Sequence, residues 1–267
     1  MKDIKKNYVS AEDVQRFHKD GVVVIRGAFK DWIPELLKGA QRNVEVPSPR
    51  GITHVNAEGG GKFFEDFYNW DKIPEYKHFI ENSPMAELAA QIMDSSTVQF
   101  FHDHYLDKEG GTPIATPWHQ DMPYYFVEGS QTISFWIPLN PVPKEYSLKC
   151  LAKSHLLPKL IRPTSWSTDE SFYADDSSFM DMPDIPENDE NIRVWDIEPG
   201  DAVAFNFKTI HGANANKEQV HRRTLSFRLV GDDVRYYQRP GRTSPDFPDL
   251  KQQTGEKLRS ELFPVLR

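Results

Sequence analysis

A jelly-roll barrel with helices packed outside it is the fold class the sequence predicts, and three observations carry that expectation. From about residue 97 the chain becomes a series of short apolar segments punctuated by Gly, Pro and Asn, the texture of a sandwich or barrel and not of a wound α/β sheet. The helical signals lie in front of that region. No repeat, low-complexity tract or Gly/Ser linker interrupts the 267 residues, and the 20 prolines are spread along them. The expectation is a single domain over 1–267, with a helical N-terminal part to about 95, a barrel over about 96–232 and a C-terminal tail over 233–267.

Ser10 ahead of Glu12, Asp13, Val14 and Phe17 reads as an N-cap leading into a short amphipathic helix that stops at Gly21. Val22, Val23, Val24 and Ile25, followed by Arg26 and Gly27, form a buried strand ending in a turn. A second helix is expected from Trp32 to Gln41, and a third from the cap Ser83 and Pro84 through Ala86 to Met93. The barrel strands are expected at 97–107, 118–126, 131–139, 147–153, 192–196, 202–207 and 222–230. Glu198-Pro199-Gly200-Asp201 supplies the turn between the fifth and sixth of them. Segment 163–191 stands apart because it holds nine acidic residues and no Lys or Arg, yet also Trp166, Phe172, Tyr173, Phe179 and Met180. It reads either as a solvated insertion or as a lid over a site.

Composition excludes several classes. The 40 acidic residues outnumber the 32 Lys and Arg, giving a net charge of −8 with no basic cluster, the reverse of a nucleic-acid-binding balance. Cys150 is alone, so an intramolecular disulfide and a Cys-rich zinc site are both excluded. The first residues lack the apolar stretch of a signal peptide, and no run reaches the length of a membrane span. A cytoplasmic protein with no membrane partner is expected; oligomeric state is left open.

A divalent metal held by two histidines and a carboxylate needs two ligands close in sequence and a third brought in by the fold. His119 and Asp121, in Thr116-Pro117-Trp118-His119-Gln120-Asp121, supply the pair, since residues two apart on a strand share a face. About one His-x-acid pair is expected by chance in this composition. The sequence has a second, His18 and Asp20, at the end of the first helix, where a solvated face is the reading. His119 and Asp121 differ in their company: His211 ends a buried strand downstream, and Arg222 follows eleven residues later, with Arg223 beside it. An inward-facing arginine at the start of a barrel strand is a costly buried charge unless an anion pairs with it, as a dicarboxylate would. Alternation admits only one of Arg222 and Arg223 to the interior. His102 and His104 form a competing metal pair.

Taken together, these residues resemble the phytanoyl-CoA dioxygenase family of non-haem iron, 2-oxoglutarate-dependent oxygenases. The resemblance runs through Phe17-His18-Lys19-Asp20-Gly21-Val22-Val23-Val24, then His102-Asp103-His104-Tyr105-Leu106-Asp107-Lys108, Trp118-His119-Gln120-Asp121, Phe135-Trp136, Ser154-His155 and Pro199-Gly200-Asp201. It continues through His211-Gly212, Asn216, Arg222, Gly231-Asp232-Asp233 and Phe263-Pro264. It implies a double-stranded β-helix, Fe(II) held by His119, Asp121 and His211, and 2-oxoglutarate held through its distal carboxylate by Arg222. It further implies that His104 and Trp136 line the cosubstrate pocket and that Lys62 reaches it from the helical side. Ala213 departs from the serine that many relatives carry there to help hold the same carboxylate. His155, His221 and Cys150 are given no role.

The implied activity is a dioxygenase reaction with O₂ that converts 2-oxoglutarate to succinate and CO₂ and hydroxylates an unactivated C–H bond. Asp121 argues against the halogenase variant, which replaces this carboxylate. The alternatives are a cupin-like metal-dependent isomerase or hydrolase, which would leave Arg222 unexplained, and a non-catalytic barrel binding module, which should have lost a ligand. The acidic segment 163–191 leads to an expected small-molecule substrate that is polar and neutral or cationic, such as an amino-acid derivative, an amino sugar or a secondary metabolite, and not an acyl-CoA.

Overall fold

The first helix, α1 (Ala11–Asp20), forms because both its ends are satisfied locally. The Ser10 hydroxyl accepts from the Asp13 N–H at 3.1 Å while the Asp13 carboxylate accepts from the Ser10 N–H at 2.9 Å, a reciprocal capping box. Gly21 ends it at φ +78°, and a Cβ there would stand 2.4 Å from the His155 ring. Residues 8–55, 59–164, 171–173, 176–216, 220–247 and 250–267 are described by the structure, a computed structural model.

β1 (Val22–Ile25) follows, then a 3-10 turn over Lys30–Trp32 and α2 (Ile33–Glu45), which runs on past the expected end at Gln41. β2 (Ile52–His54), β3 (Phe63–Phe67), α3 (Pro74–Asn82) and α4 (Met85–Met93) come next. The stretch before residue 96 is therefore not simply helical, because β1, β2 and β3 all join the main sheet. The sequence reading also passes over α3, which has Pro74 in its first turn but no capping side chain. What holds α3 is burial of Tyr76, Phe79 and Ile80, one face of the helix.

The remaining strands are β4 (Gln99–Lys108), β5 (Thr116–His119), β6 (Val127–Glu128), β7 (Thr132–Pro138) and β8 (Lys149–Leu151). After them come β9 (Ile192–Arg193), β10 (Ala202–Phe205), β11 (His211–Ala213), β12 (Arg222–Val230) and β13 (Arg235–Tyr236). The strand expected over 118–126 breaks at His119. Asp121 takes helical dihedrals, φ −73° and ψ −42°, and a 3-10 turn over Met122–Tyr124 with Pro123 inside it follows.

Seven strands in the order β1-β10-β7-β12-β4-β3-β2 make the large sheet, and β5-β11-β8-β9 make the small one. The chain is a jelly roll, the double-stranded β-helix expected. Helices cover the outer face of the large sheet, where Phe227 packs on Tyr76 and Phe79 of α3. Between the sheets, Trp136 and Phe205 meet Leu148 and Cys150 in a second buried cluster. Alternation along β12 thus sends Leu225 and Phe227 toward the helices and Arg222, Thr224, Ser226 and Arg228 toward the small sheet.

Two of the sequence motifs are structural ties. The Asp201 carboxylate accepts from the N–H groups of Gly27 at 2.8 Å and Glu198 at 3.1 Å and from Arg26 at 2.7 Å, fastening the end of β1 to the start of β10. Asp232 accepts from the Ser96 and Thr97 N–H groups, and Asp233 from those of Ser130 and Gln131, closing the loops at the ends of β12, β4 and β7.

Candidate active site

β11 lies beside β5 with His211 directly opposite His119, so the ladder itself brings two imidazoles together, their ring centroids 4.2 Å apart. His119 Nδ1 lies 2.9 Å from the Pro117 carbonyl and His211 Nδ1 lies 2.9 Å from the Thr209 carbonyl. A carbonyl only accepts, so each Nδ1 carries the proton and each Nε2 presents a lone pair. Both Nε2 atoms face Asp121 Oδ1, at 3.7 and 3.8 Å. One donor atom from each of the three buried residues falls within 4.8 Å of the others, and among the described residues no other group of His, Cys, Asp or Glu is gathered in this way. Two imidazole nitrogens and one carboxylate, with their second nitrogens anchored, are a donor set that fits Fe(II).

Asp121 reaches this position because the chain turns after His119, not because a strand alternates. Arg239 holds that turn from below, donating to the carbonyls of Met122 at 3.1 Å, Tyr125 at 2.7 Å and Val127 at 2.9 Å. Asp121 Oδ2 accepts from Ser134 Oγ and Arg228 Nε, both at 3.3 Å. Burial opposes its charge, but the Arg228 guanidinium and the two histidines override that and hold the carboxyl well below its ordinary range. Burial, then the neighbouring His119, pushes His211 down to about 3, so its imidazole is neutral and ready to ligate. Arg228, Ser134 and Arg239 escaped the sequence reading; only the alternation of β12 marks Arg228, as the third inward position after Arg222.

A narrow cavity runs from the histidines into the space between the sheets. Its walls hold Arg222, Lys108, Trp136, Thr224, Ser226 and Ala213, and no carboxylate among the described residues. Register explains the grouping: Arg222 pairs with Lys108, and Ser226 sits between His104 and Trp136. Arg222 is 5% exposed and donates to the Tyr146 carbonyl, and burial alone pushes its guanidinium down to about 10. The hydroxyls of Thr224 and Ser226 are buried without a partner among the described residues. A buried guanidinium, a buried lysine amine and two orphaned hydroxyls fit an anionic oxygen-rich ligand such as 2-oxoglutarate. Trp136 and His104 line this cavity. Lys62 does not: it is exposed at the edge of β3, its N–H bonded to the Glu109 carboxylate, and it lines neither cavity. The lysine in the cavity is Lys108, on the next strand.

A second cavity, of about 480 Å³, opens on the other side of the histidines and shares His104, His119 and Arg228 with the first. His102 lines it; Nδ1 faces the Asp103 carbonyl, and Nε2 has no partner among the described residues. His102 and His104 are therefore wall residues, while the Asp103 carboxylate turns away to accept from the Asn69 and Trp70 N–H groups. His104 stacks on Phe67, with centroids 3.9 Å apart, and its Nε2 donates to Glu65 at 2.9 Å; His54 donates to the same carboxylate at 2.8 Å.

Burial of Glu65 works against its charge, and the two histidine hydrogen bonds outweigh it, bringing the carboxyl down to about 2. An acid depressed on folding stabilises the native state above its unfolded pKa of about 4.5 and loses that contribution as pH falls toward 2. Glu65→Gln is expected to lower stability at pH 7 by on the order of 1–3 kcal/mol and to flatten the pH dependence between 4.5 and 3. Urea midpoints measured across that window test this; parallel curves for the two proteins would refute the assignment.

The acidic segment departs from expectation. Only Thr164 and Phe172 of its described residues line the larger cavity, Phe172 lying edge-on to Tyr124 at 5.6 Å. Tyr173 is buried against Phe179. Asp181, Asp184, Glu187 and Glu190 are exposed, and Asp181 pairs with Arg162. Trp166, Asp169, Glu170 and Asp175 lie outside the described residues. The charged groups at the cavity mouth are instead Arg50, Arg242 and Asp246. The other candidates are elsewhere: His18 is exposed, Asp20 lies 3.7 Å from Arg193, and Arg223 turns away to Asn140 at 3.0 Å.

Residues 17–224 match the family model of phytanoyl-CoA dioxygenase. The chain is 21% identical over 271 residues to the peroxisomal phytanoyl-CoA dioxygenase of Bos taurus, covering 98% of this chain and 71% of that one. Among solved structures it is similar to the non-heme alpha ketoglutarate dependent carbocyclase SnoK from nogalamycin biosynthesis, at 19% identity and a TM-score of 0.75 over 97% of both chains. It is also similar to the epimerase SnoN in complex with Fe3+, alpha ketoglutarate and nogalamycin RO, at 18% identity and a TM-score of 0.73 over 96% of this chain and 98% of that one. It is similar as well to EctD from S. alaskensis, at 18% identity and a TM-score of 0.62 over 85% of this chain and 79% of that one. Among the described residues no helix is long and apolar enough to cross a membrane.

Proposed function

The chain belongs to the phytanoyl-CoA dioxygenase family, whose cofactors are Fe(II) and 2-oxoglutarate with O₂, and we propose that it hydroxylates an unactivated C–H bond of a small polar molecule. The observation that carries this reading is the convergence of His119 Nε2, His211 Nε2 and the Asp121 carboxylate beside a carboxylate-free cavity walled by Arg222. In this reading those three residues hold the metal and Arg222 takes the distal carboxylate of 2-oxoglutarate, with Trp136 and His104 as walls. Bound there, Fe(II) with 2-oxoglutarate and O₂ supplies the oxidation, releasing succinate and CO₂ and placing one oxygen atom in the substrate.

The protein's own contribution is geometry. The Pro117 and Thr209 carbonyls fix the imidazole tautomers, and Arg228 and Ser134 orient Asp121. Phe172 and Tyr124 stand at the mouth of the larger cavity, where an aromatic pair excludes water from the reacting atoms. Its volume of about 480 Å³ supports a small-molecule substrate. The acidic segment gives no support to a cationic substrate, since none of its described acids lines that cavity, whose charged lining includes Arg50, Arg228, Arg242 and Asp246.

Substrate-stimulated succinate release, profiled against amino-acid derivatives, amino sugars, secondary metabolites and acyl-CoAs, tests the reading. One labelled oxygen atom passing from O₂ into the product would establish hydroxylation. An unlabelled isomer or ring-closed product would overturn that part, and stimulation by an acyl-CoA alone would overturn the substrate class.

A further inference from the structure

Two of the charges that line the larger cavity are left unspent by the fold. Glu65 already accepts from His54 and His104, and Asp121 from Arg228. Arg50 and Arg242 stand at the mouth with no carboxylate within 4.0 Å of either among the described residues, although Asp246 lines the same mouth. Both arginines are held from behind. The turn that presents Arg50 is pinned to the fully buried Asp66, whose carboxylate accepts from the Ser48 N–H at 2.8 Å. Ser48 accepts in turn, at Oγ from the Arg50 N–H at 3.0 Å and at its carbonyl from the Gly51 N–H at 2.9 Å. The Arg50 guanidinium lies over the rings of Tyr68 and Phe247, 5.7 and 5.4 Å from their centroids, and spends one of its five donors on the Asp246 carbonyl at 3.2 Å. Arg242 sits on the loop after β13, where the Tyr173 hydroxyl donates to the Arg242 carbonyl at 2.8 Å and the Ser244 N–H donates to the Tyr124 carbonyl at 2.8 Å. Its guanidinium has no hydrogen-bond partner among the described residues. Fixed backbones with unspent guanidiniums at one cavity mouth are a preorganised grip for an oxyanion.

We propose that Arg50 and Arg242 bind an oxyanion of the primary substrate, a carboxylate or a phosphate group, and hold that end of the molecule at the mouth while the C–H bond to be oxidised reaches the paired histidines. This rests on the reading of the larger cavity as the substrate site of a 2-oxoglutarate-dependent hydroxylase. The planar fork of a guanidinium meets two oxygens at once, so the pair selects an acid over its amide and fixes which carbon faces the metal. Asp246 opposes an anion at the same rim and sets the affinity below what the two arginines alone would give. A cavity of about 480 Å³ suits a small acid and not the whole of an acyl-CoA.

The experiment pairs small acids with neutral counterparts: hexanoate with hexanamide, N-acetylproline with its amide, and glycerol 3-phosphate with glycerol, with hexanoyl-CoA as the large anion. Binding to the protein loaded with Fe(II) and 2-oxoglutarate is read by anaerobic calorimetry, and turnover by succinate release. At least one acid, of either oxyanion type, is expected to bind about 30-fold or more tighter than its neutral counterpart, and the preferred type identifies the oxyanion. Arg50→Gln and Arg242→Gln are each expected to raise KM for that acid about 10- to 100-fold, with kcat and the neutral counterpart within about threefold. Arg50→Lys keeps the charge and the stem over Tyr68, and takes the place of the glutamine variant if that one does not fold; loss of the fork alone is expected to cost about 3- to 10-fold. Asp246→Asn is expected to tighten the acid about two- to fivefold, a gain that a purely structural role for these loops would not produce. Acids that bind no better than their neutral counterparts, or arginine variants that weaken both alike, would overturn the proposal and leave the hydroxylase reading standing. Hexanoyl-CoA as the only compound bound would overturn the small acid. A wild type that binds iron but not 2-oxoglutarate would overturn the hydroxylase reading, and this proposal with it.

Discussion

His211→Ala is expected to cut 2-oxoglutarate turnover by at least about 1,000-fold, because losing one of three metal ligands removes several kcal/mol of transition-state stabilisation. His211 is the cleanest of the three positions to test. Its Nδ1 bond to the Thr209 carbonyl is local, and its backbone ladder to His119 and Cys150 persists with alanine. Asp121→Ala is confounded, since it also strands Arg228, which is buried and whose ion pair is with Asp121 at 3.3 Å. Breaking one side of such a pair costs about 3–5 kcal/mol in its own right. The check is iron stoichiometry after anaerobic reconstitution, with far-UV circular dichroism and succinate formation beside it. A folded His211→Ala protein that kept its iron and its turnover would remove the residue from the metal site.

Why those ligands could be picked out in advance while their supports could not follows from what each kind of residue leaves in a sequence. His119, Asp121 and His211 carry a short spacing and a strand context, and Arg222 a fixed interval from His211, so all four are visible without coordinates. Lys108 and Arg228 are ordinary charged residues near strand ends, and a charge there reads as solvent-facing. The large sheet is covered on both faces, so β4, with Phe101, His102, Asp103 and His104 all buried, shows none of the alternation that would sort wall from core. The resemblance passes through Lys108 without implying a role for it, and implies a pocket role for Lys62. Only the register of Arg222 with Lys108 separates them. The short strands β2 and β3 carry little periodicity, and their pairing with β4 depends on contacts distant in sequence. The acidity of 163–191 is plain in the sequence, whereas the direction in which its side chains point is a tertiary fact.

Arg222→Ala is expected to raise the apparent KM for 2-oxoglutarate far more than Arg223→Ala. Loss of a charge-assisted contact in a buried pocket costs on the order of 2–5 kcal/mol, roughly 30-fold to several thousand-fold in affinity. Arg223 is one residue away but faces the other side of the strand and donates to Asn140, so its removal should stay within about threefold. Equal effects would mean that the inward face of β12 has been misassigned, which the shared lining of Arg222, Thr224 and Ser226 argues against. A second measurement separates a binding role from a structural one. Because Arg222 is buried with no carboxylate partner among the described residues, the dicarboxylate relieves a charge the fold leaves uncompensated. Ligand at about 100 times its dissociation constant should then stabilise the iron-loaded wild type by about 2.7 kcal/mol. Arg222→Ala, melted without 2-oxoglutarate, should lie within about 1 kcal/mol of the wild type under the same conditions, since it removes an unpaired charge along with one carbonyl contact. The same 2-oxoglutarate concentration should leave its melting temperature nearly unmoved. A variant that melted far below the wild type yet still rose with 2-oxoglutarate would make Arg222 a structural residue and send the search for the carboxylate partner elsewhere in the cavity.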